Sequence, residues 1–147
     1  MNRAVVMVCV VALLAAVVAT ASVARTGGRA TVSAPLLGTW GKTMTKAAWH
    51  KYDISYEQAG HWAIALTGDG TMMLLSPPGH ANDVLTQMSA ATAGGSLVVG
   101  PTADGFCGEK VGYTWKLSGR TLVIRGGAKD DCTARRVLFT AGTWTKE

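Results

Sequence analysis

The chain has 147 residues, 16% of them charged, 18 glycines, three cysteines and a formal charge of +5. That length suits one domain once an apolar N-terminal stretch is set aside. The basic residues are scattered, with no basic run interleaved with aromatics, which excludes a nucleic-acid-binding stripe and leaves only loose attraction to anionic surfaces.

Met1-Asn2-Arg3 is a short cationic lead, and Ala4 to Val18 is unbroken apolar sequence. Small residues then offer two cleavage patterns, Ala19-Thr20-Ala21 and Ser22-Val23-Ala24. This order predicts a signal peptide over 1–24 and a protein that is secreted or extracytoplasmic, free or held at the cell wall. The apolar run is short for a membrane span of about 20 residues, and no later segment is long and apolar enough, so no stable membrane insertion is expected after cleavage. Residues 25–35, rich in Gly, Ala, Ser and Thr, read as a flexible tether. The folded domain is expected over 36–147.

The first strand is expected over Leu37–Thr45, opening with Gly38-Thr39-Trp40. A helix-period stretch follows, with Trp49, Tyr52, Tyr56 and Ala59 at three- and four-residue steps and Gly60 where a C-cap would stand. Trp62, Ile64 and Leu66 alternate in a second strand, Gly68-Asp69-Gly70 is a hairpin turn, and Thr71–Ser76 is the third strand. Pro77-Pro78-Gly79 breaks the chain. Val84–Met88 and Leu97–Val99 read as weaker strands divided by Gly94-Gly95. Val111–Leu117 and Thr121–Arg125 form a hairpin around the Ser118-Gly119 turn signal. The last strand is expected over Leu138–Trp144. Eight short strands, high glycine and low charge describe an all-β domain.

Cys107 and Cys132 are an even pair in a chain with an export signal, and neither a CxxC nor a His-x-His metal spacing occurs, so they are expected to form a disulfide. It would tie the loop entering the Tyr113–Trp115 strand to the loop after the Leu122–Ile124 strand.

These residues carry a resemblance. Gly38-Thr39-Trp40 resembles the G-x-W signature of the calycin superfamily, which includes lipocalins and avidins. The longer series is Gly60-His61-Trp62 with Ile64 and Leu66, Asp69-Gly70, Pro78-Gly79, Cys107, Gly112-Tyr113-Thr114-Trp115, Leu117, Gly119, Leu122, Asp130, Cys132, Arg135 and Trp144. It is similar to small secreted lipocalin-like domains of actinobacteria, whose biochemical role is unassigned, and it covers nearly everything from Leu36 onward. The resemblance implies an eight-stranded antiparallel up-and-down barrel, in which the helix-period stretch read above is a short helical segment between the first two strands. It also implies structural roles for Gly38, Trp40, Arg135 and Trp144. The first and last strands would close the barrel, and the Arg135 guanidinium, or that of Arg136 if the register of the last strand slips, would stack over the Trp40 ring at its closed end. The chain departs from the pattern at Ala90–Gly95, which puts the shape of one barrel wall in question.

A barrel of this size holds its own side chains or one small ligand. Trp49, Tyr52, Tyr56, Trp62, Ile64, Met72, Met88, Tyr113 and Trp115 are the candidate ligand-lining residues, and the same residues also suit a closed core. His50, Asp53 and Glu57 share a helical face and read as a solvated polar face rather than a metal or acid–base cluster. Ser89 and Ser118 have no placeable His and Asp partners, and Gly126-Gly127 opens no helix, so neither a nucleophilic triad nor a phosphate loop is expected. No cofactor and no enzymatic activity are expected. Two functions remain: a carrier of a small hydrophobic molecule, or an extracellular module that meets a protein or anionic cell-surface polymer through its rim. A cavity of about 300 Å³ or more suits the first, and a filled barrel with an exposed apolar rim suits the second.

Overall fold

Eight antiparallel strands, each hydrogen-bonded to the next in sequence, close into a barrel when the last pairs with the first. The structure is a computed structural model that describes residues 31–54, 59–75, 77 and 84–147. Its elements are β1 (Gly38–Met44), α1 (Lys46–His50), β2 (Gly60–Leu66), β3 (Thr71–Leu75), β4 (Val84–Ala93), β5 (Ser96–Thr102), β6 (Val111–Ser118), β7 (Thr121–Gly126), α2 (Thr133–Thr140) and β8 (Trp144–Lys146). Period-two alternation sends one face of each strand inward. Trp40, Leu66, Met72, Leu97, Leu122 and Trp144 are buried there, each at most 2% exposed. Closure rests on Trp40 opposite Lys146 and Gly41 opposite Thr145, with β7 flanking β8 on its other side.

One end of the barrel is sealed by the chain that leads into it. Within 25–35, the described part from Thr31 lies against the barrel. Val32 and Leu36 are buried, the Ser33 hydroxyl and backbone N–H meet Thr92 Oγ1 at 2.8 and 3.0 Å, and Trp40 Nε1 donates to Leu36 O at 2.8 Å. The Trp40 indole is thus satisfied at the closed end, as a buried donor requires.

The wall expected to be weak is the longest strand. β4 runs to Ala93, with a register shift against β5 between Met88 and Ala90, and meets β5 through Gly94-Gly95, both with positive φ (55° and 81°), the pattern of a tight hairpin turn whose twist matches its strands. Alanine is a poor strand former, but pairing on both sides overrides propensity, and Ala90 is buried.

The largest difference from the sequence reading lies at the end of the chain. Leu138–Trp144, expected as the last strand, is divided: Thr133–Thr140 is α2, and β8 is only Trp144–Lys146. The physical reason is visible in hindsight. Arg135, Leu138 and Phe139 recur at helical steps and are buried together with Val137, so the run has a helix-period face that strand alternation conceals. Arg135 therefore lies on a helix at the open end and not over Trp40. Lys146 takes that place, its Nζ 5.1 Å from the Trp40 ring centroid. The helix between the first two strands is also shorter than its periodicity suggests, one turn over Lys46–His50.

Candidate functional site

The open end of the barrel is the mouth, where α1, α2 and the β5–β6 loop converge. Thr45 accepts a hydrogen bond from Ala48 N at 3.1 Å and caps α1. The single turn that follows turns Trp49 inward, where it is 1% exposed and meets Trp62 edge to face at 5.9 Å. Across the mouth, α2 presents Leu138 and Phe139. Between these walls is a cup of about 210 Å³ that also reaches Leu74 and Met88. Ile64, Met72, Leu97 and Tyr113 are fully buried in the barrel interior.

α2 is held in place by two devices. Cys132, just before its first residue, is bonded to Cys107 in the β5–β6 loop, with Cα atoms 5.4 Å apart. Beside that bridge lies a buried ion pair. Arg135 donates from Nε and Nη2 to the two carboxylate oxygens of Asp130, both at 2.8 Å, from Nη1 to Gly100 O at 2.9 Å, and from Nη2 to Glu109 O at 3.0 Å. The Tyr113 hydroxyl donates to the same carboxylate, and Cys132 N reaches Asp130 Oδ1 at 3.0 Å. One planar fork thereby joins β5, the loop before β6, the β7–α2 corner and α2. Gly127 permits this: a Cβ there would lie 2.3 Å from the Tyr113 ring, and its φ is +70°.

Desolvation pushes the Asp130 carboxyl up, but the Arg135 and Tyr113 hydrogen bonds outweigh it and hold the group below its ordinary range. Desolvation likewise opposes the Arg135 charge, and Asp130 more than restores it. Burial, then Asp130, push the Tyr113 hydroxyl up. The network is therefore an ion pair with a neutral tyrosine, and both carboxylate oxygens of Asp130 accept hydrogen bonds. It has the character of a brace.

The cup has one polar side. Thr86, Thr102 and Asp104 line it next to Phe106 and Cys107. Thr102 Oγ1 accepts from Cys107 N at 2.9 Å, and Asp104 accepts from Phe106 N at 3.0 Å. The Thr102 side chain and then the Phe106 N–H hold the Asp104 carboxyl below its ordinary value. Thr86 Oγ1 is buried and has no hydrogen-bond partner among the described residues.

Of the residues expected to line a ligand site, the structure brings Trp49, Trp62 and Met88 to the cup. Ile64, Met72 and Tyr113 are buried in the barrel and do not border it. Trp115 shares the inward face of β6 but is half-buried, and Tyr52 is on the surface at 41% exposed. Tyr56 lies outside the described residues. Sequence reasoning missed Asp104, Phe106 and Leu138. The one signal for the first two was their place within three residues of Cys107, since a disulfide fixes whatever its loop carries. Among the described residues no group of three His, Cys, Asp or Glu is arranged to hold a metal ion, and no described helix is long and apolar enough to cross a membrane.

Taken together, the fold and the cup define a closed eight-stranded antiparallel barrel with one sealed end and one apolar mouth. Compared with protein-family models, with curated proteins and with solved structures, the chain matches none.

Proposed function

We propose that this chain is an exported, lipocalin-like barrel that takes a small apolar molecule, or the apolar end of a larger one, into its mouth cup. The observation that carries the reading is the apolar cup of about 210 Å³ between Trp49, Trp62, Leu138 and Phe139. It falls short of the roughly 300 Å³ set out above for a carrier, so the occupant has to be smaller than a drug-sized ligand. It is larger than the about 150 Å³ apolar cavity that accepts benzene. The occupant is therefore about one ring or a short chain end. Export is supported by the leader pattern over 1–24 and by the Cys107–Cys132 bridge, which persists in oxidising compartments. The calycin-like residue series supports the same class.

Native mass spectrometry of the protein recovered from the medium of its own host tests this. A bound small molecule, lost in organic solvent, is expected. Protein that leaves the host empty and shows no tryptophan fluorescence change with ethylbenzene would overturn the reading.

A second reading rests on Phe106, which is 73% exposed on the rim of the cup. An exposed aromatic beside an apolar pocket is the arrangement a protein partner would use as an anchor. Phe106→Ala would then abolish partner capture in a pull-down, and unchanged capture would overturn this second reading.

A further inference from the structure

We propose that Lys42 is a reactive amine, which takes small aldehydes as an imine in the pocket at the seam between β1 and β8. The site is separate from the mouth cup and does not rest on the function proposed for it.

The seam is incomplete where Lys42 lies. β1 is paired with β2 as far as Met44, but with β8 only at Trp40 and Gly41. Beyond Gly41 the turn Ala141-Gly142-Thr143, instead of a strand, bounds a pocket of about 510 Å³, within the size range of small-molecule sites. Lys42 borders this pocket together with Thr43, Thr145, His61 and Glu147. It opens to solvent on the side of His61 and Glu147, whose side chains are 47% and 41% exposed and 2.5 Å apart. Gly41 makes room for that pair: a Cβ there would lie 1.9 Å from Glu147 Oε1 and 2.6 Å from the His61 ring.

The surroundings of Lys42 suit it to nucleophilic addition. It has no counter-ion: the ion pairs of the described residues join His61 to Glu147 and Arg135 to Asp130, and neither includes it. Its acceptors are the carbonyls of Leu138 and Ala141, which match the two N–H donors of a neutral amine and leave its lone pair unused. The third donor of an ammonium would meet, among the described residues, only the Trp144 ring face, with its centroid 4.2 Å away. Burial also lowers the pKa to about 7, so the amine is largely uncharged just above neutrality, the state in which a lysine attacks carbonyl carbon. The other titratable groups on the pocket are His61 and Glu147.

The reaction balances without an oxidant or reductant. The lone pair attacks the aldehyde carbon, a C–N bond forms, and the C=O electron pair moves to oxygen, which takes a proton as the nitrogen gives one up. The carbinolamine then loses its hydroxyl with a second proton as water, and the nitrogen lone pair completes C=N. His61, held by Glu147, carries these protons. A protonated imine keeps one N–H, enough for one of the two carbonyls. Aldehydes fit better than ketones, because Lys42 is 7% exposed and a hindered carbon would not reach it.

Propanal with cyanoborohydride traps each imine as a stable propylamine, and peptide mass mapping locates it in the intact, disulfide-bonded protein. At a pH of about 7.5, Lys42 is expected to be alkylated about tenfold or more faster than the exposed Lys46, which is almost wholly protonated there. The ratio should shrink as pH rises to about 9.5, because Lys46 then loses protons that Lys42 has already lost. His61→Gln, which keeps a donor for Glu147, should slow Lys42 and leave Lys46 unchanged. Alkylation of Lys42 no faster than of Lys46, or confined to the N-terminal amine and the exposed lysines, would overturn the proposal. A ratio that stays level across the pH range would overturn it too, since accessibility and not charge state would then set the rate. Unchanged alkylation of Lys42 in His61→Gln would overturn the part given to His61.

Discussion

Lys42 points into the barrel wall and is 7% exposed. Its ammonium donates to Leu138 O and, at 2.7 Å, to Ala141 O at the end of α2, and it sits 4.2 Å from the Trp144 ring centroid. A cation is well placed at the negative end of a helix and over an indole face. Burial nevertheless pushes its pKa from 10.5 down to about 7. Between those values the unfolded chain binds the extra proton, so Lys42 makes stability rise with pH from about 7 upward and adds no slope below. Thermal unfolding between about pH 7 and pH 9.5 should show that rise, at most about 3 kcal/mol, and Lys42→Met should flatten it. The window stops there because Tyr113, whose hydroxyl is pushed up, contributes stability that is lost as pH rises above its unfolded value near 10. Asp130 is the opposite case. Its depressed carboxyl contributes stability above the ordinary carboxylate range that is lost as pH falls through the folded value. Asp130→Asn leaves the Arg135 charge buried without its partner and should cost about 3–5 kcal/mol in urea unfolding.

At the scale of elements, α2 is the piece on which the mouth depends. It supplies Leu138 and Phe139 to the cup, yet it is only eight residues long and too short to persist alone in water. Its apolar face, the Arg135 fork and the bridge at Cys132 hold it down. The bridge spans 25 residues and, on the chain-entropy account, is worth about 3.5 kcal/mol. The double variant Cys107→Ala, Cys132→Ala should lower unfolding free energy by about 2–4 kcal/mol and speed amide exchange in α2 more than in β6 or β7. Equal exchange across all three would mean that the bridge does not anchor α2 selectively.

For the molecule as a whole, closure rests on a short strand. β8 has three residues, and Trp144 within it is 0% exposed, donates from Nε1 to Phe139 O at 3.2 Å and packs edge to face on Phe139 at 6.4 Å. One large side chain thus fastens the last strand, the helix before it and the first strand, through Lys42. Trp144→Ala should cost about 3–5 kcal/mol, and because β1 and β7 would lose their shared neighbour, dye binding to exposed apolar surface should rise at the same time. A destabilised protein with no added dye binding would mean that the barrel stays closed without it.

Much of this architecture is local in origin and was readable. Strand alternation at Trp62-Ile64-Leu66 and Val111–Leu117, the turns at Gly94-Gly95 and after Ser118, and the Cys107–Cys132 pair each depend on neighbours in sequence or on simple arithmetic, and they describe an all-β domain; its closure into a barrel was implied by the calycin-like residue series. The mouth is different. Whether Thr133–Thr140 becomes strand or helix depends on which face the barrel end offers it. Where Arg135 points depends on Asp130, Gly100 and Glu109 being brought together from three separate parts of the chain. That Lys146 covers Trp40, and that Asp104 and Thr86 share one side of a cup, follow from strand register around a closed circle. Such placements are set by non-local packing, which no periodicity within a single stretch encodes. Strands, turns and the cysteine pair are thus local properties of the chain, whereas the open end and the side chains that line it are set by contacts between its distant parts.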